Sequence, residues 1–348
     1  MLSLFFLVLS ISMFLVFMQE YNRQHNFPYP SFLFLASPFI LLHGPTLWFY
    51  VRSLTKQHFY FKKIYLFHLM PFLLMVIQHC VQLLFKPNSE KIAISINEEF
   101  VHYWTYPVFM IMTILSPLLY FIWGLILIKK YNSQLKNYFS KLKDIDLKWL
   151  RILLYASIAF YFLINIAFSL SLVIPFAPFN KMQMLSFTFS TIYILFLGFF
   201  GHKQINLFST NTVLVELEQI QPNPHVTSEK QSDINNLFVE TLLKKMSNDK
   251  PFLDSDLTLS SLSYKLNISP DYLSNILNNK LNYNFYDFIN HYRVEEFKKE
   301  SKLPQNKNYT IIAIAYNCGF NSKATFYRVF KNITGITPTE YMQQSQTN

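Results

Sequence analysis

Cysteine and charge are both scarce in this chain of 348 residues, and each shortage argues against a class of protein. The two cysteines, Cys80 and Cys318, lie in separate halves, so neither a disulfide framework nor a cysteine metal site is indicated. No two histidines stand three or four positions apart, which is the spacing one helix would offer a metal. We therefore expect no metal and no cofactor.

Charged residues make up only 14% of the chain, against 51% apolar residues. The long apolar runs described next carry no Asp, Glu, Lys or Arg at their centres. A transporter or membrane enzyme usually needs paired acids or an acid–base couple within its spans. This shortage argues against both, and we predict that the chain is not an enzyme.

Long apolar runs fill residues 1–202. Residues 2–18 are uncharged and about as long as the ~17 to 25 residues a membrane-crossing helix requires. A removed signal peptide is the competing interpretation, but no basic segment precedes the run and no small-residue cleavage site follows it. Five more uncharged runs occupy approximately residues 28–51, 64–85, 101–128, 152–174 and 182–201. Because a soluble core could not bury so many all-round apolar helices, we predict a six-span membrane domain.

The loops between these runs differ in positive charge. One set, within residues 52–63 and 129–151, holds eleven Lys and Arg residues, whereas the alternate set holds four. Basic loops stay on the cytoplasmic side of a membrane. The prediction is a multi-pass protein of the bacterial inner membrane, in contact with the lipid bilayer, with both termini in the cytoplasm.

Histidines inside the runs raise the question of a ligand. His68 and His79 are eleven positions apart, which is about three helical turns, so on one helix they share a face that could line a pocket. More commonly such groups bond to a neighbouring helix. Both interpretations stay open, and any signal ligand is unknown.

Composition changes at residues 203–232, where Pro, Ser, Thr, Asn and Gln replace the apolar runs. This stretch reads as a linker between the membrane domain and a C-terminal domain at residues 233–348. Within it, residues 212–220 are suited to a short helix that pairs with the same helix of a second chain. A second copy of the chain, forming a homodimer, is therefore one of the partners we consider.

The last part of the chain reads as a helix, a tight turn and a second helix. Thr310 can cap the first helix, Gly319 supplies a left-handed turn, and Asn321 or Ser322 can cap the second. Residues 257–289 repeat this pattern about 52 positions earlier, with Ser269 as a cap and Asn267 in the turn. Two such units on one connecting helix can enter successive major grooves, about 34 Å apart.

Net charge gives little global support for nucleic acid, because residues 233–348 hold 13 Lys and Arg against 11 Asp and Glu. The local balance is different. Residues 301–331 contain five basic residues and no acidic one. The predicted interface is therefore a patch centred on the second unit.

Residues 233–346 resemble the DNA-binding domain of AraC-type transcription regulators. The resemblance rests on SPDYLSNILNNKL, DFINHYRVEEFKK and IAIAYNCGFNSKATFYRVFKNITGITPTEYM. It implies seven helices, two recognition helices and no chemistry. The fold class expected is thus all-α, with a polytopic helical membrane bundle followed by an AraC-type double helix-turn-helix domain. The stretches HGPTLWFYVRSL and DIDLKWLR resemble membrane-embedded regulators with such ends, which often begin with one further span.

The resemblance also implies which residues meet double-stranded promoter DNA. In the first unit the base-facing residues would be Asp271, Tyr272, Ser274, Asn275 and Asn278. In the second unit they would be Asn321, Ser322, Lys323, Thr325, Tyr327 and Arg328. Lys280, Lys323 and Lys331 would serve phosphates. Asn267 departs from the family's usual glycine, and the first recognition helix has almost no base before Lys280.

The function expected is a membrane-tethered transcription regulator, a one-component sensor that couples a membrane or extracytoplasmic signal to promoter binding. The alternatives are a transporter with a helix-turn-helix regulatory tail and a membrane scaffold whose helix pairs bind protein.

Overall fold

A computed structural model of the chain describes residues 1–56, 59–97, 99–143, 145–173, 188–196, 198–199 and 230–347. Within these ranges the regular elements are helices, and β-type pairing is confined to an isolated antiparallel bridge between Phe139 and Thr258. The all-α prediction is confirmed. The chain divides into two compact units: Met1–Lys130 with Leu147–Phe208, and Tyr131–Asp146 with Ser209–Asn348.

The N-terminal compact unit, Met1–Lys130 with Leu147–Phe208, contains four long apolar helices and two short ones within its described residues. They are α1 (Leu2–Gln24), α2 (Ala36–Thr55), α3 (Met70–His79), α4 (Asn88–Ile96), α5 (Tyr106–Leu135) and α6 (Lys148–Val173), of which α3 and α4 are the short ones. A 3₁₀ segment, Lys63–Leu69, leads into α3, and a π-helical turn, Cys80–Leu84, follows it. The close approach of α2 and α5 depends on Gly44, because a Cβ there would lie 3.1 Å from Cα of Pro117.

Among the residues that the structure describes, four stretches are long and apolar enough to cross a membrane by length and composition: Leu2–Gln24, Lys63–Leu84, Tyr106–Leu135 and Lys148–Ile166. The second predicted run forms α2 but is not among the four, since polar residues such as His43 and Thr46 interrupt it. The sixth run, residues 182–201, lies mostly outside the described residues. The count of six spans therefore stays a prediction.

His68 and His79 both contact α2 and α5. His68 Nδ1 bonds to Tyr120 Oη at 2.6 Å, whereas His79 Nε2 bonds to Ser37 Oγ at 2.9 Å. Each histidine bonds to a neighbouring helix.

The C-terminal compact unit, Tyr131–Asp146 with Ser209–Asn348, contains the seven α-helices that the resemblance implies, counted over its described residues. They are α7 (Lys230–Asn248), α8 (Leu259–Lys265), α9 (Pro270–Asn275), α10 (Phe285–Glu300), α11 (Ile311–Asn317), α12 (Lys323–Thr334) and α13 (Pro338–Thr347). A π-helical turn, Ile276–Lys280, extends α9. The predicted linker, with its residues 212–220, lies outside the described residues up to 229.

Candidate nucleic-acid interface

The first helix-turn-helix pairs α8 with α9. Thr258 caps α8 in a capping box, since its Oγ1 accepts from Ser261 N at 3.1 Å while Ser261 Oγ accepts from Thr258 N at 3.0 Å. Ser269 caps α9 by accepting from Tyr272 N at 3.2 Å. Between them Asn267 has a φ of 53°, so it takes the left-handed conformation predicted for it.

The second helix-turn-helix pairs α11 with α12. Thr310 caps α11, and Ser322 rather than Asn321 caps α12, by accepting from Thr325 N at 3.5 Å. Gly319 in the turn has a φ of 90°. A Cβ at Gly319 would lie 2.4 Å from the carbonyl oxygen of Phe252, so both the conformation and the space require glycine.

Helix α10 holds the two units together because it is buried on opposite faces. Phe285, Phe288 and Ile289 belong to the core of the first unit. Val294 and Phe297 belong to the core of the second. A helix used on both sides has no continuous solvent face, which fixes how the two units are turned relative to each other.

Arg293 is a charged residue buried at this junction, only 2% exposed. Its guanidinium donates to the carbonyl oxygens of Phe252 and Asp254, at 2.8 and 2.7 Å. Burial lowers the Arg293 pKa to about 10, so the group stays charged at neutral pH and needs these acceptors. The same carbonyl of Phe252 faces Gly319, so the turn of the second helix-turn-helix packs directly against a residue of the first helix-turn-helix core.

Residues 136–142 fold into the C-terminal compact unit, although the sequence places them in a loop between two apolar runs. We call these residues the inserted segment. Its carbonyls satisfy free amides at two helix starts: Lys136 O accepts from Tyr286 N at 2.8 Å, and Tyr138 O accepts from Leu259 N at 2.8 Å. Ser140, 1% exposed, donates from Oγ to Leu257 O at 2.6 Å. The segment therefore behaves as an integral part of the fold.

The inserted segment touches the cores of both helix-turn-helix units. Tyr138 packs against the first core and Leu142 against the second. Arg293 also donates to Ser140 O at 3.4 Å, beside the junction of the units. At the surface Lys141 Nζ lies 2.8 Å from Asp256 Oδ1, and this hydrogen bond lowers the pKa of that carboxyl group.

The predicted contact residues of the first unit are only partly available. Tyr272 Oη donates to Asn235 Oδ1 at 2.8 Å and its ring packs against Phe238, so this side chain is tied to α7. Asn278 donates to Ser274 O at 2.9 Å but remains exposed. The set divides into half-buried Asp271, Tyr272, Ser274 and Asn275, and exposed Asn278 and Lys280.

The second unit presents more charge. Lys323, Arg328 and Lys331 are exposed along α12, while Asn321, Ser322, Thr325 and Tyr327 are half-buried. Lys323 Nζ lies 5.7 Å from the ring centroid of Tyr327. The Nδ2 atom of Asn321 is buried and has no acceptor in the described part of the chain, so this nitrogen does not point to the surface.

Arg328 is linked to the inserted segment through Tyr286. Arg328 Nη2 donates to Tyr286 Oη at 3.0 Å. On the other side, Lys136 Nζ lies 5.5 Å from the Tyr286 ring centroid, and Lys136 O holds the Tyr286 amide. A predicted base-facing arginine thus stands one residue away from the inserted segment.

Sequence reasoning missed the inserted segment, Arg293 and Tyr286. A signal was present for the segment, because Tyr138, Phe139 and Leu142 interrupt its basic residues and a purely solvated loop does not need them. Arg293 stands among apolar residues of α10 but has the same sequence appearance as a surface arginine. Its partners come from three separate parts of the chain, which no local pattern reveals.

Comparison with known proteins supports the helix-turn-helix assignment of the C-terminal compact unit. Residues 262–344 match the family described as "Helix-turn-helix domain", of the AraC type. The chain is 32% identical over 90 residues to the uncharacterized HTH-type transcriptional regulator YijO of Escherichia coli, covering 26% of this chain and 31% of that protein. It is 29% identical over 94 residues to the Msm operon regulatory protein of Streptococcus mutans, covering 27% and 33%.

A third relative is the uncharacterized HTH-type transcriptional regulator YtdP of Bacillus subtilis, 31% identical over 94 residues, which is 27% of this chain and 12% of that protein. The chain thus spans a third or less of the length of these relatives. No solved structure gave a significant match. The family match thus identifies a helix-turn-helix domain at residues 262–344, of a kind with that of the regulators named above.

Proposed function

We propose that the protein is a membrane-tethered transcription regulator of the one-component type, in which the membrane domain biases promoter binding by the C-terminal compact unit. The observation that carries the proposal is the inserted segment. It lies between α5 and α6, both apolar enough to span a membrane, and yet it folds against α8 and α10. The DNA-binding unit is therefore tied to two apolar helices in addition to the linker.

Outward-facing side chains support placement of these helices in lipid. On α5 the apolar residues that stand out into the surroundings recur every three or four positions, as one stripe of a helix does. They are Ile111, Leu115, Leu119, Ile122 and Ile126, each at least 47% exposed. Such a continuous apolar surface is unfavourable in water and ordinary in a bilayer.

Coupling follows from the contacts of the inserted segment. Movement of α5 against α6 displaces residues 136–142, which contact both cores and the N-termini of α8 and α10. The relative setting of two helix-turn-helix units decides whether both fit successive grooves. Through Tyr286 the same movement reaches Arg328.

Inverted membrane vesicles test the proposal, because they expose the cytoplasmic face. Vesicles carrying the full chain should capture DNA fragments selectively and release them with added salt, since phosphate contacts dominate affinity. Right-side-out vesicles should not. The double variant Lys323→Ala/Arg328→Ala should lose capture.

The matched control is Lys244→Ala/Lys299→Ala, which removes the same charge from exposed positions outside both recognition helices and outside the basic patch of residues 301–331, and should retain capture. Capture by right-side-out vesicles, or recovery of the chain only in the soluble fraction, would refute the tethered arrangement. Equal loss in both double variants would show that binding is general charge attraction. Pull-down of a protein without DNA dependence would favour the scaffold alternative.

A further inference from the structure

The N-terminal compact unit contains a partly open cavity of about 380 Å³ among α1, α2, α3, α5 and α6. Small-molecule sites in proteins have volumes of roughly 300 to 1,000 Å³, so this cavity is at the lower end of that range. Most of its lining is apolar, including Met13, Met75, Phe109 and Met110. It is far larger than the space one water molecule occupies, which is about 30 Å³.

Two histidines in the lining have both ring nitrogens engaged by uncharged groups. His43 bonds through Nε2 to Ser12 Oγ at 2.7 Å and through Nδ1 to Tyr161 Oη. His79 bonds through Nε2 to Ser37 Oγ at 2.9 Å and through Nδ1 to Met75 O at 3.0 Å. Neither ring has a nitrogen to spare for a metal, so these histidines build the wall and fix its shape.

No Asp, Glu, Lys or Arg is found among the lining residues that the structure describes. A charged occupant would stand unpaired in apolar surroundings, which is strongly unfavourable. A pure hydrocarbon would leave polar lining groups unused. Within the described ranges, the Gln19 amide and Asn165 Oδ1 make no hydrogen bond, while Asn165 Nδ2 donates to Tyr161 O at 2.7 Å.

We propose that this cavity binds a neutral amphiphile, a molecule with an apolar body and one or two hydrogen-bonding groups such as a hydroxyl or an amide. The apolar lining takes the body, and Gln19 and Asn165 take the polar group. A bilayer lipid and a diffusible signal molecule can both supply this chemistry. The assignment of the cavity as the signal site rests on the proposed function, whereas its occupancy does not.

Photolabelling of the full chain in lipid nanodiscs tests the proposal. The probe is dodecanol bearing a diazirine and an alkyne, and the comparators are the matching dodecanoic acid and a dodecane without a polar group. Labelled peptides are mapped by mass spectrometry. The alcohol should label the cavity-lining parts of α1, α5 and α6 in preference to the acid, by on the order of tenfold, which corresponds to about 1.4 kcal/mol.

Met110→Trp fills the cavity and should abolish this labelling. Its matched control is Ile111→Trp, one position along α5 but 57% exposed, which should leave labelling unchanged. Gln19→Leu/Asn165→Leu should reduce labelling by the alcohol roughly fivefold to tenfold and leave labelling by the dodecane probe unchanged. Correct folding of each variant is checked by circular dichroism and thermal unfolding of the full chain in nanodiscs.

Equal labelling of the two tryptophan variants, or labelling by the acid as strong as by the alcohol, would overturn the proposal. Solvent extraction of the purified chain identifies the source: a stoichiometric neutral lipid indicates the bilayer, and an extract without one indicates a diffusible molecule. Cavity labelling that leaves DNA capture unaltered supports the site and removes its signalling role. Loss of DNA capture in wild type with labelling intact would instead refute the proposed function alone.

Discussion

The two helix-turn-helix units share one architecture but differ in what constrains them. The turn of the first unit is made by Asn267, whose side chain is exposed and whose left-handed backbone is the only unusual feature there. The turn of the second is made by Gly319, which is left-handed and also packed against the carbonyls of Phe252 and Leu253. A turn in open solvent tolerates asparagine, whereas a turn at a junction between units does not tolerate a side chain.

The recognition helices differ in the same sense. Helix α9 carries Asp271 in its first turn, and the first basic residue after it is Lys280, in the π-helical turn that extends the helix. Helix α12 exposes Lys323, Arg328 and Lys331. We therefore predict a division of labour on DNA, in which the second helix-turn-helix unit supplies most of the charge and of the direct base contacts. Three sets of substitutions test this difference, starting with the largest expected effect.

Gly319→Ala should destabilise the second unit by about 2 to 5 kcal/mol, since left-handed strain of about 1 to 2 kcal/mol adds to overlap with Phe252 O. Asn267→Ala should cost only about 1 kcal/mol, and Asn267→Gly should be close to neutral. Hydrogen exchange of the full chain in nanodiscs measures the free energy of opening for peptides of each unit. Similar costs for the two alanine variants would contradict the packed-turn explanation.

Arg328→Ala should weaken binding to a duplex selected by the wild-type chain by about 1 to 3 kcal/mol and relax specificity at one position. Lys280→Ala should weaken binding less, equally across sequences, and lower the salt slope by about 1. Fluorescence anisotropy of labelled duplexes against nanodisc-held protein measures both. A larger loss of specificity in Lys280→Ala would reverse the division of labour.

Tyr286→Phe should have the smallest effect. It removes the acceptor for Arg328 Nη2 but keeps the ring that packs in the second core, so affinity for the selected duplex should fall by about 0.5 to 1 kcal/mol. Stability should hardly change. The same anisotropy series measures it, and tighter binding would show that Tyr286 restrains Arg328 away from DNA.

Much of the C-terminal compact unit could be predicted from the sequence because the signals for its helix caps and turns are local. Caps at Thr310 and Ser269 and the left-handed turns at Asn267 and Gly319 are confirmed. Each depends on residues within three or four positions of one another, where side-chain hydroxyls meet backbone amides. The predicted contacts with DNA bases remain a prediction, although the structure does show which of those side chains are exposed.

Long-range contacts were beyond sequence reasoning. The charge pattern of the inserted segment is that of a basic loop. Only its hydrogen bonds to Leu257, Leu259 and Tyr286 show that it belongs to the C-terminal compact unit. The sequence also left open whether His68 and His79 line a pocket or bond to a neighbouring helix. In the structure both bond to a neighbouring helix, and His79 is also among the residues that line the cavity.

By itself, the sequence determined the all-α class, the division between apolar and helix-turn-helix parts, and the repeated unit, because hydrophobic periodicity and capping are properties of short stretches. Only the tertiary structure decided that residues 136–142 complete the DNA-binding unit and that His43, His79 and Asn165 line one cavity. These features join residues far apart in the chain, so their free energy exists only once the helices have packed.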